Sequence, residues 1–340
     1  MRLKKQFLAI IATIILTFGG GLLAISGTSQ AAELRIASGF GLGYAPVQLA
    51  YELKLFEKYA PGLKVSYRQY GSGSIRSEAM IADQADVGFM GIQPFLVGWS
   101  RGVAWKVVMA LNNAPVHLMT WRDDIKSLKD IKPGVKIAVP SPTSTQADLL
   151  RMAAKRQLGD ARALDANMVA MKHPDATNAI ISKRGIDMHF ASPPFLFKEA
   201  KTPGVHRVLT AIEAFGGEHN FLVTVAMNDF ANKQPQAFAA LTMGIMEAMH
   251  MLNTDPKKAA EVIAKPNKLS VSKAVEYLTW ENMNFTATPY GAMTTANWMK
   301  SIGIIPKAPK EIHEILFPVA GSIVGKQRGS PSGVERLQGK

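Results

Sequence analysis

Short apolar runs alternate with longer amphipathic stretches over most of this chain, a pattern that predicts an α/β protein. Residues 34–38 (LRIAS), 65–70 and 86–90 (DVGFM) read as strands. Residues 46–59 read as a helix with proline in its first turn, and 107–111 closes this first strand–helix set. A second set repeats the layout, with strands at 117–121, 137–139, 168–171, 187–191, 208–210 and 221–226. Its main helix ends at Gly159, a residue suited to a C-cap. Beyond Asn228 the pattern turns helical. Phe238, Leu241, Ile245, Met249 and Leu252 recur at helical spacing and form one apolar stripe. Asp255-Pro256 starts the next helix, and Ser270 or Ser272 caps another through about Met283. No period of roughly 20–50 residues repeats, which argues against a solenoid or propeller. The likeness of the two sets points to two similar lobes.

The first residues follow a different pattern. Arg2, Lys4 and Lys5 precede an apolar run from Phe7 to Phe18, and Ser29-Gln30-Ala31 is a small-x-small site. Together they predict a secretory signal peptide over 1–31, cleaved after Ala31. The alternative is a retained anchor helix, because the apolar stretch through Ile25 approaches spanning length. At the other end, 321–340 is polar, basic and rich in glycine and serine, the composition of a disordered tail.

Charge and cysteine content narrow the function. The 340 residues carry 39 Lys+Arg against 26 Asp+Glu, a net +13, which favours an acidic partner or an anionic ligand. The basic residues are scattered, without the aromatic-interleaved stripe of a nucleic-acid surface, so no nucleic-acid partner is expected. The absence of cysteine excludes disulfides, thiolate metal sites, iron–sulfur clusters and cysteine nucleophiles. It also removes the residue on which a bacterial lipoprotein carries its lipid, so an exported form would be free in a periplasm or secreted.

Candidate chemistry lies in five loops between a strand and the next helix: 39–44, 71–74, 91–94, 141–145 and 192–195. Ligands of open α/β sheets bind at such strand ends, where helix N-termini offer unpaired N–H groups. Gly71-Ser72-Gly73-Ser74 and residues 141–145 (SPTST) have the small and hydroxyl residues of an oxyanion cradle, although each hydroxyl could equally be a helix cap. Phe40, Tyr44 and Phe195 stand beside these loops, as pocket walls or as core. No Arg or Lys is singled out, so aligned N–H groups are expected to supply the charge complement.

Enzymatic motifs are weak. Tyr44 stands where a G-x-G-x-x-G loop needs its last glycine, and there is neither a G-x-x-x-x-G-K-[ST] loop nor a G-x-S-x-G elbow. Ser270-Val271-Ser272-Lys273 fits S-x-x-K but reads as a helix cap. The seven histidines lack zinc-site spacing, so neither a metal nor a cofactor is expected. His219, after Gly216-Gly217 and beside Glu218, is the histidine that a periplasmic hydrolase would use. The methionines, Met243, Met246, Met249 and Met251 among them, read as core filler.

The order of motifs resembles the periplasmic solute-binding proteins of nitrate/sulfonate/taurine-type ABC importers. It is carried by LRIASGFGLGYAPVQLAYELKLFEKY, VSYRQYGSGS, ADVGFMGIQPFLVG and WKVVMAL in the first half. IKSLKDIKPGVKIAVPSPTSTQADLL, GIDMHFASPPFLFKEA and VTVAMNDFANKQPQAF continue it in the second. The resemblance implies a two-lobed periplasmic-binding-protein fold (type II), each lobe a mostly parallel sheet flanked by helices. Lobe one would be 33–116 and 228–320, and lobe two 117–227. It also implies a non-enzymatic monomeric receptor that closes on a small oxyanion and delivers it to an inner-membrane permease. The ligand residues so implied are Phe40, Gly41, Tyr44, Ser72, Ser74 and Gln93, then Ser141, Ser144, Thr145, Ser192 and Phe195; His219 is added from its own loop. An aromatic or aminopyrimidine-like ligand is the alternative within the same role. The cysteine-dependent synthesis found in fungal relatives is not expected here.

Overall fold

The computed structural model describes residues 32–318; the expected signal peptide or anchor and the 321–340 tail lie outside them. Two five-stranded sheets organise the described chain. The first is built from β1 (Glu33–Ser38), β2 (Lys64–Gln69), β3 (Val87–Met90), β4 (Trp105–Asn112) and the late strand β10 (Leu222–Met227), in the order β2-β1-β3-β10-β4. The second holds β5 (His117–Thr120), β6 (Ile137–Val139), β7 (Met168–Ala170), β8 (Met188–Ala191) and β9 (His206–Thr210), in the order β7-β6-β8-β5-β9.

Each sheet has one strand that runs against the other four. β1 pairs in parallel with β2 and β3, whereas β10 is antiparallel to both β3 and β4. In the second sheet β6 pairs in parallel with β7 and β8, and β5 is antiparallel to β8 and β9. The odd strands are those that cross between sheets. β4 leads through 113–116 into β5, and the chain after the second sheet returns through 216–221 into β10. The mostly parallel, two-lobed reading therefore describes the architecture.

The expected lobe boundary needs correction. Residues 117–227 would put β10 in lobe two, but it is hydrogen-bonded between β3 and β4 of the first sheet. Its run is buried on both faces, so its apolar pattern suits a central position in either sheet. Only the pairing decides.

Local elements follow the pattern with two differences. The expected helix over 46–59 is two, Ala45–Glu52 and Leu55–Tyr59, because Lys54 takes a left-handed conformation (φ 53) between them. The helix capped by Ser270 stops at Leu278 rather than near Met283. The apolar stripe of Pro235–Thr254 buries Leu241, Ile245, Met249 and Leu252 in the largest core cluster. Met243 and Met246 of the same helix are exposed, so they do not fill the core as expected.

Candidate functional site

Four helices begin at the cleft between the sheets. Gly73–Ile81 and Ile92–Ser100 belong to the first lobe, Thr145–Leu158 and His173–Ser182 to the second. Ser72 caps the first by accepting from Ile75 N–H at 3.3 Å, and Ser144 caps the third by accepting from Ala147 N–H at 3.3 Å. The helix starts leave further N–H groups and four positive dipole ends around one small space. That cavity measures about 30 Å³, and its walls include Phe40, Tyr44, Ser72, Ser144, Thr145 and Ser192. About the volume of a water or two, it suits a compact group rather than a large ring.

The strongest electrostatic feature of the cavity is Arg76, one turn into the Gly73–Ile81 helix and only 4% exposed. Its Nη2 donates to Tyr44 Oη at 2.8 Å and its Nη1 to the Tyr70 carbonyl at 3.0 Å. The guanidinium carbon lies 5.2 Å from the centre of the Tyr44 ring. Its Nε is buried without a hydrogen-bond partner. Burial pulls the Arg76 pKa below the ordinary arginine value, and the titratable groups acting on it are the Tyr44 and Tyr67 phenols, which stay uncharged near neutral pH. A guanidinium removed from water without an opposite charge is costly, and an anion bound beside it would offset that cost. The expectation that backbone N–H groups alone complement the ligand is thus corrected: a buried cation stands with them.

The second lobe contributes a chain of polar groups. Gln146 Nε2 lies 3.1 Å from His173 Nε2, and both residues line the cavity. His173 Nδ1 is 2.8 Å from His189 Nε2, and His189 Nδ1 is 2.6 Å from Glu199 Oε1. Thr177 Oγ1 donates to the same carboxylate oxygen at 2.7 Å. Phe195, expected as a cavity wall, instead stacks on the His173 ring at 5.7 Å. Among the described residues no group of three His, Cys, Asp or Glu could hold a metal ion, the two histidines and Glu199 included.

Other expected site residues join the lobes. Ser74 Oγ bonds Ser141 Oγ at 2.9 Å and Thr143 Oγ1 at 2.8 Å across the cleft. Thr145 Oγ1 donates to Gln93 Oε1 at 2.8 Å, and Gln93 Nε2 reaches Asp148 at 3.5 Å. Trp298 Nε1 donates to the same Asp148 carboxyl at 3.0 Å, and burial pushes that carboxyl up to about 7. A Cβ at Gly91 would overlap Thr145 Oγ1, so glycine is what lets these helix starts meet. Gly41 takes φ 101, and next to it Leu42 N–H donates to the Pro193 carbonyl at 3.2 Å. Ser74, Gln93, Ser141 and Gly41 therefore fasten the two lobes rather than wall the cavity.

His219 is misplaced by the sequence reading. Its ring stacks on Phe215 at 4.5 Å and lines a larger cavity of about 660 Å³ beside both crossing segments, not the small one. Burial pushes its pKa down to about 4. Sequence reasoning also missed Arg76, Gln146, Asp148 and His173. A signal existed for three of them, since each charged or polar residue falls within the first turn and a half of a helix that follows a Ser/Gly loop. His173 opens its own helix after the short 171–172 link that follows β7, without a Ser/Gly loop before it.

With this geometry in place, comparison with known proteins is decisive for the family. Residues 27–266 match the model of the NMT1-like family. The chain belongs to that family. The chain is 30% identical over 151 residues to a Bacillus subtilis (strain 168) protein named for binding aliphatic sulfonates. That alignment covers 42% of this chain and 44% of the relative, so the chain matches less than half of the relative's length. Among solved structures, the alkanesulfonate-binding protein SsuA of Xanthomonas axonopodis pv. citri, bound to MOPS, superposes with TM-score 0.69 and 17% identity, covering 84% of this chain and 98% of that one. The periplasmic nitrate-binding protein NrtA of Synechocystis PCC 6803 gives TM-score 0.71 and 11% identity, covering 90% and 91%. These structures show that the NMT1-like chain has the fold of periplasmic binding proteins, as its motif order suggested. No helix among the described residues is long and apolar enough to cross a membrane.

Proposed function

We propose that this NMT1-like protein is an extracytoplasmic receptor that binds a small oxyanion of the sulfonate or nitrate type and presents it to the permease of an ABC importer. The observation that carries the reading is Arg76, a buried guanidinium that lines the cleft with no carboxylate of the described residues acting on it and an unmet Nε–H. The four helix starts and the Ser72 and Ser144 hydroxyls would surround the remaining oxygens. Tyr44 and Phe40 would flank any organic substituent. Crossing segments 113–116 and 216–221 would act as the hinge, and the Ser74, Gln93 and Leu42 contacts would fasten the closed state. The names of the sulfonate- and nitrate-binding relatives support this ligand class. The names of those relatives describe binding rather than turnover, which supports a receptor role, and the receptor would act as a monomer.

Thermal unfolding with nitrate, taurine, ethanesulfonate, sulfate and an aminopyrimidine tests the reading. A ligand at 100 times its dissociation constant adds about 2.7 kcal/mol to stability, seen as a rise of several degrees in melting temperature. A rise with one or more of the oxyanions is expected. A rise with the aminopyrimidine alone would transfer the site to a ring compound.

A further inference from the structure

The polar chain Gln146–His173–His189–Glu199 begins at the cavity wall and ends inside the protein, where His189 and Glu199 are fully buried. Its distances fit one set of tautomers. With Glu199 as the carboxylate, His189 donates from Nδ1 to Oε1, and His173 donates from Nδ1 to His189 Nε2. Gln146 Nε2 then donates to His173 Nε2. Each histidine is neutral, and the one lone pair presented towards the cavity is that of His173 Nε2. A histidine whose far nitrogen is tied to a carboxylate through a second ring is held in one orientation.

We propose that the cleft takes up its anion together with one proton, and that His173, backed by His189 and Glu199, holds that proton and so selects the ligand by charge. The inference rests on the anion-receptor reading above. The proton comes from solvent water or buffer and adds to His173 Nε2, while the Gln146 amide turns its oxygen to accept it. The positive charge then sits at His173 beside the bound anion. Alternatively, His173 Nδ1–H passes to His189 Nε2 while His189 Nδ1–H passes to Glu199. Both rings are then neutral with Nε2–H, and the carboxyl is protonated. In either form one proton has entered and none has left, and His173 presents a donor where it had an acceptor.

The surroundings of His173 explain why an anion is needed to load it. Arg76 faces it from the Gly73–Ile81 helix, His189 from β8, and Glu199 from the Phe195–Ala200 helix through His189. The Phe195 ring covers one face, and Lys172 and Asp175 of its own helix are exposed. Burial, His189 and Arg76 hold its pKa well below the ordinary histidine value. A negative charge in the cavity opposes that effect, because opposite charge favours the protonated form. Glu199 Oε2 is buried without a partner, so the carboxyl retains an unmet acceptor site in the interior.

Calorimetric titration of the protein with ethanesulfonate and with nitrate, from pH 6 to 8.5 in buffers of different ionisation enthalpy, tests this directly. Both probes are anions of strong acids and bring no proton of their own. At the alkaline end the account predicts about one proton taken up per anion and affinity falling roughly tenfold per pH unit. His173→Gln should bind with an affinity that no longer changes with pH, and Glu199→Gln should lower the proton count. The wild-type count needs no variant, so it decides even where Glu199→Gln does not fold. Binding without proton uptake would overturn the inference and leave the receptor reading standing. A pH dependence kept in His173→Gln but lost in Asp148→Asn would overturn it in favour of the Asp148 carboxyl. Absence of binding by both anions at every pH would overturn the receptor reading and this inference together.

Discussion

Two cavities among the described residues differ in size and in chemistry, and the two differences point in opposite directions. The larger, about 660 Å³, lies beside the crossing segments and carries Arg207, Glu218 and Glu281, all exposed to water. The smaller, about 30 Å³, closes over Arg76, which is buried and which no carboxylate of the described residues balances. Volume favours the first and unmet polarity the second. A solvated charge gains little from a ligand because water already serves it, whereas a buried guanidinium with a free N–H is relieved by an anion. The ligand site of a binding protein is thus better located by what burial leaves unsatisfied than by empty space.

The comparison can be broken most sharply at Arg76. Arg76→Met should weaken ethanesulfonate or nitrate binding by about 100-fold or more, the scale of losing one partner of a buried charge pair. Its thermal stability in the absence of ligand should hold or rise, since an apolar side chain of similar length escapes the desolvation cost. Titration calorimetry and thermal unfolding read the two effects separately; a large loss of stability with unchanged affinity would make Arg76 structural.

The Asp148 latch tests the closed cleft itself. Its carboxyl is raised to about 7 from an unfolded value of 3.8, so the folded state favours the protonated acid. Stability from this group is fully present below about pH 4 and is lost as pH rises through about 7. Asp148→Asn should remove that slope, a change on the order of 4 kcal/mol between pH 4 and 8 in denaturant unfolding. A wild-type slope that survives the substitution would assign it to another group.

Smaller effects sharpen the contrast. Ser144→Ala should cost about 1 kcal/mol of stability through its helix cap and weaken the anion a few-fold. His219→Ala, in the larger cavity, should change anion affinity by less than about twofold, within the range of an uninvolved residue. Equal losses for His219→Ala and Arg76→Met would end the distinction between the cavities.

Much of the fold was legible in the sequence. Alternating short apolar runs and capped helices located most strands to within a residue or two, because each run is buried and each cap is chemically specific. β10 was assigned to the wrong lobe because Leu222–Met227 is apolar on both faces, which says that a strand is central but not which sheet it enters. The Lys54 break was hidden because the turn there uses a lysine in a left-handed conformation instead of glycine. In the site, small and hydroxyl residues were legible as a group, since loops at strand ends advertise themselves. Their separation into cavity walls such as Ser72 and Ser144 and lobe fasteners such as Ser74 and Gln93 was not, because it depends on how the lobes meet. Arg76 and His173 were passed over for a related reason. A lone charged residue near a helix start reads as solvated until tertiary structure buries it.

The central claim is most directly tested by a crystal structure grown with ethanesulfonate, its sulfur located by anomalous scattering. The account predicts the sulfonate in the small cavity, an oxygen within hydrogen-bond distance of Arg76 Nε and the others at the helix starts capped by Ser72 and Ser144. A sulfonate bound instead in the larger cavity, beside Arg207 and His219, would contradict it.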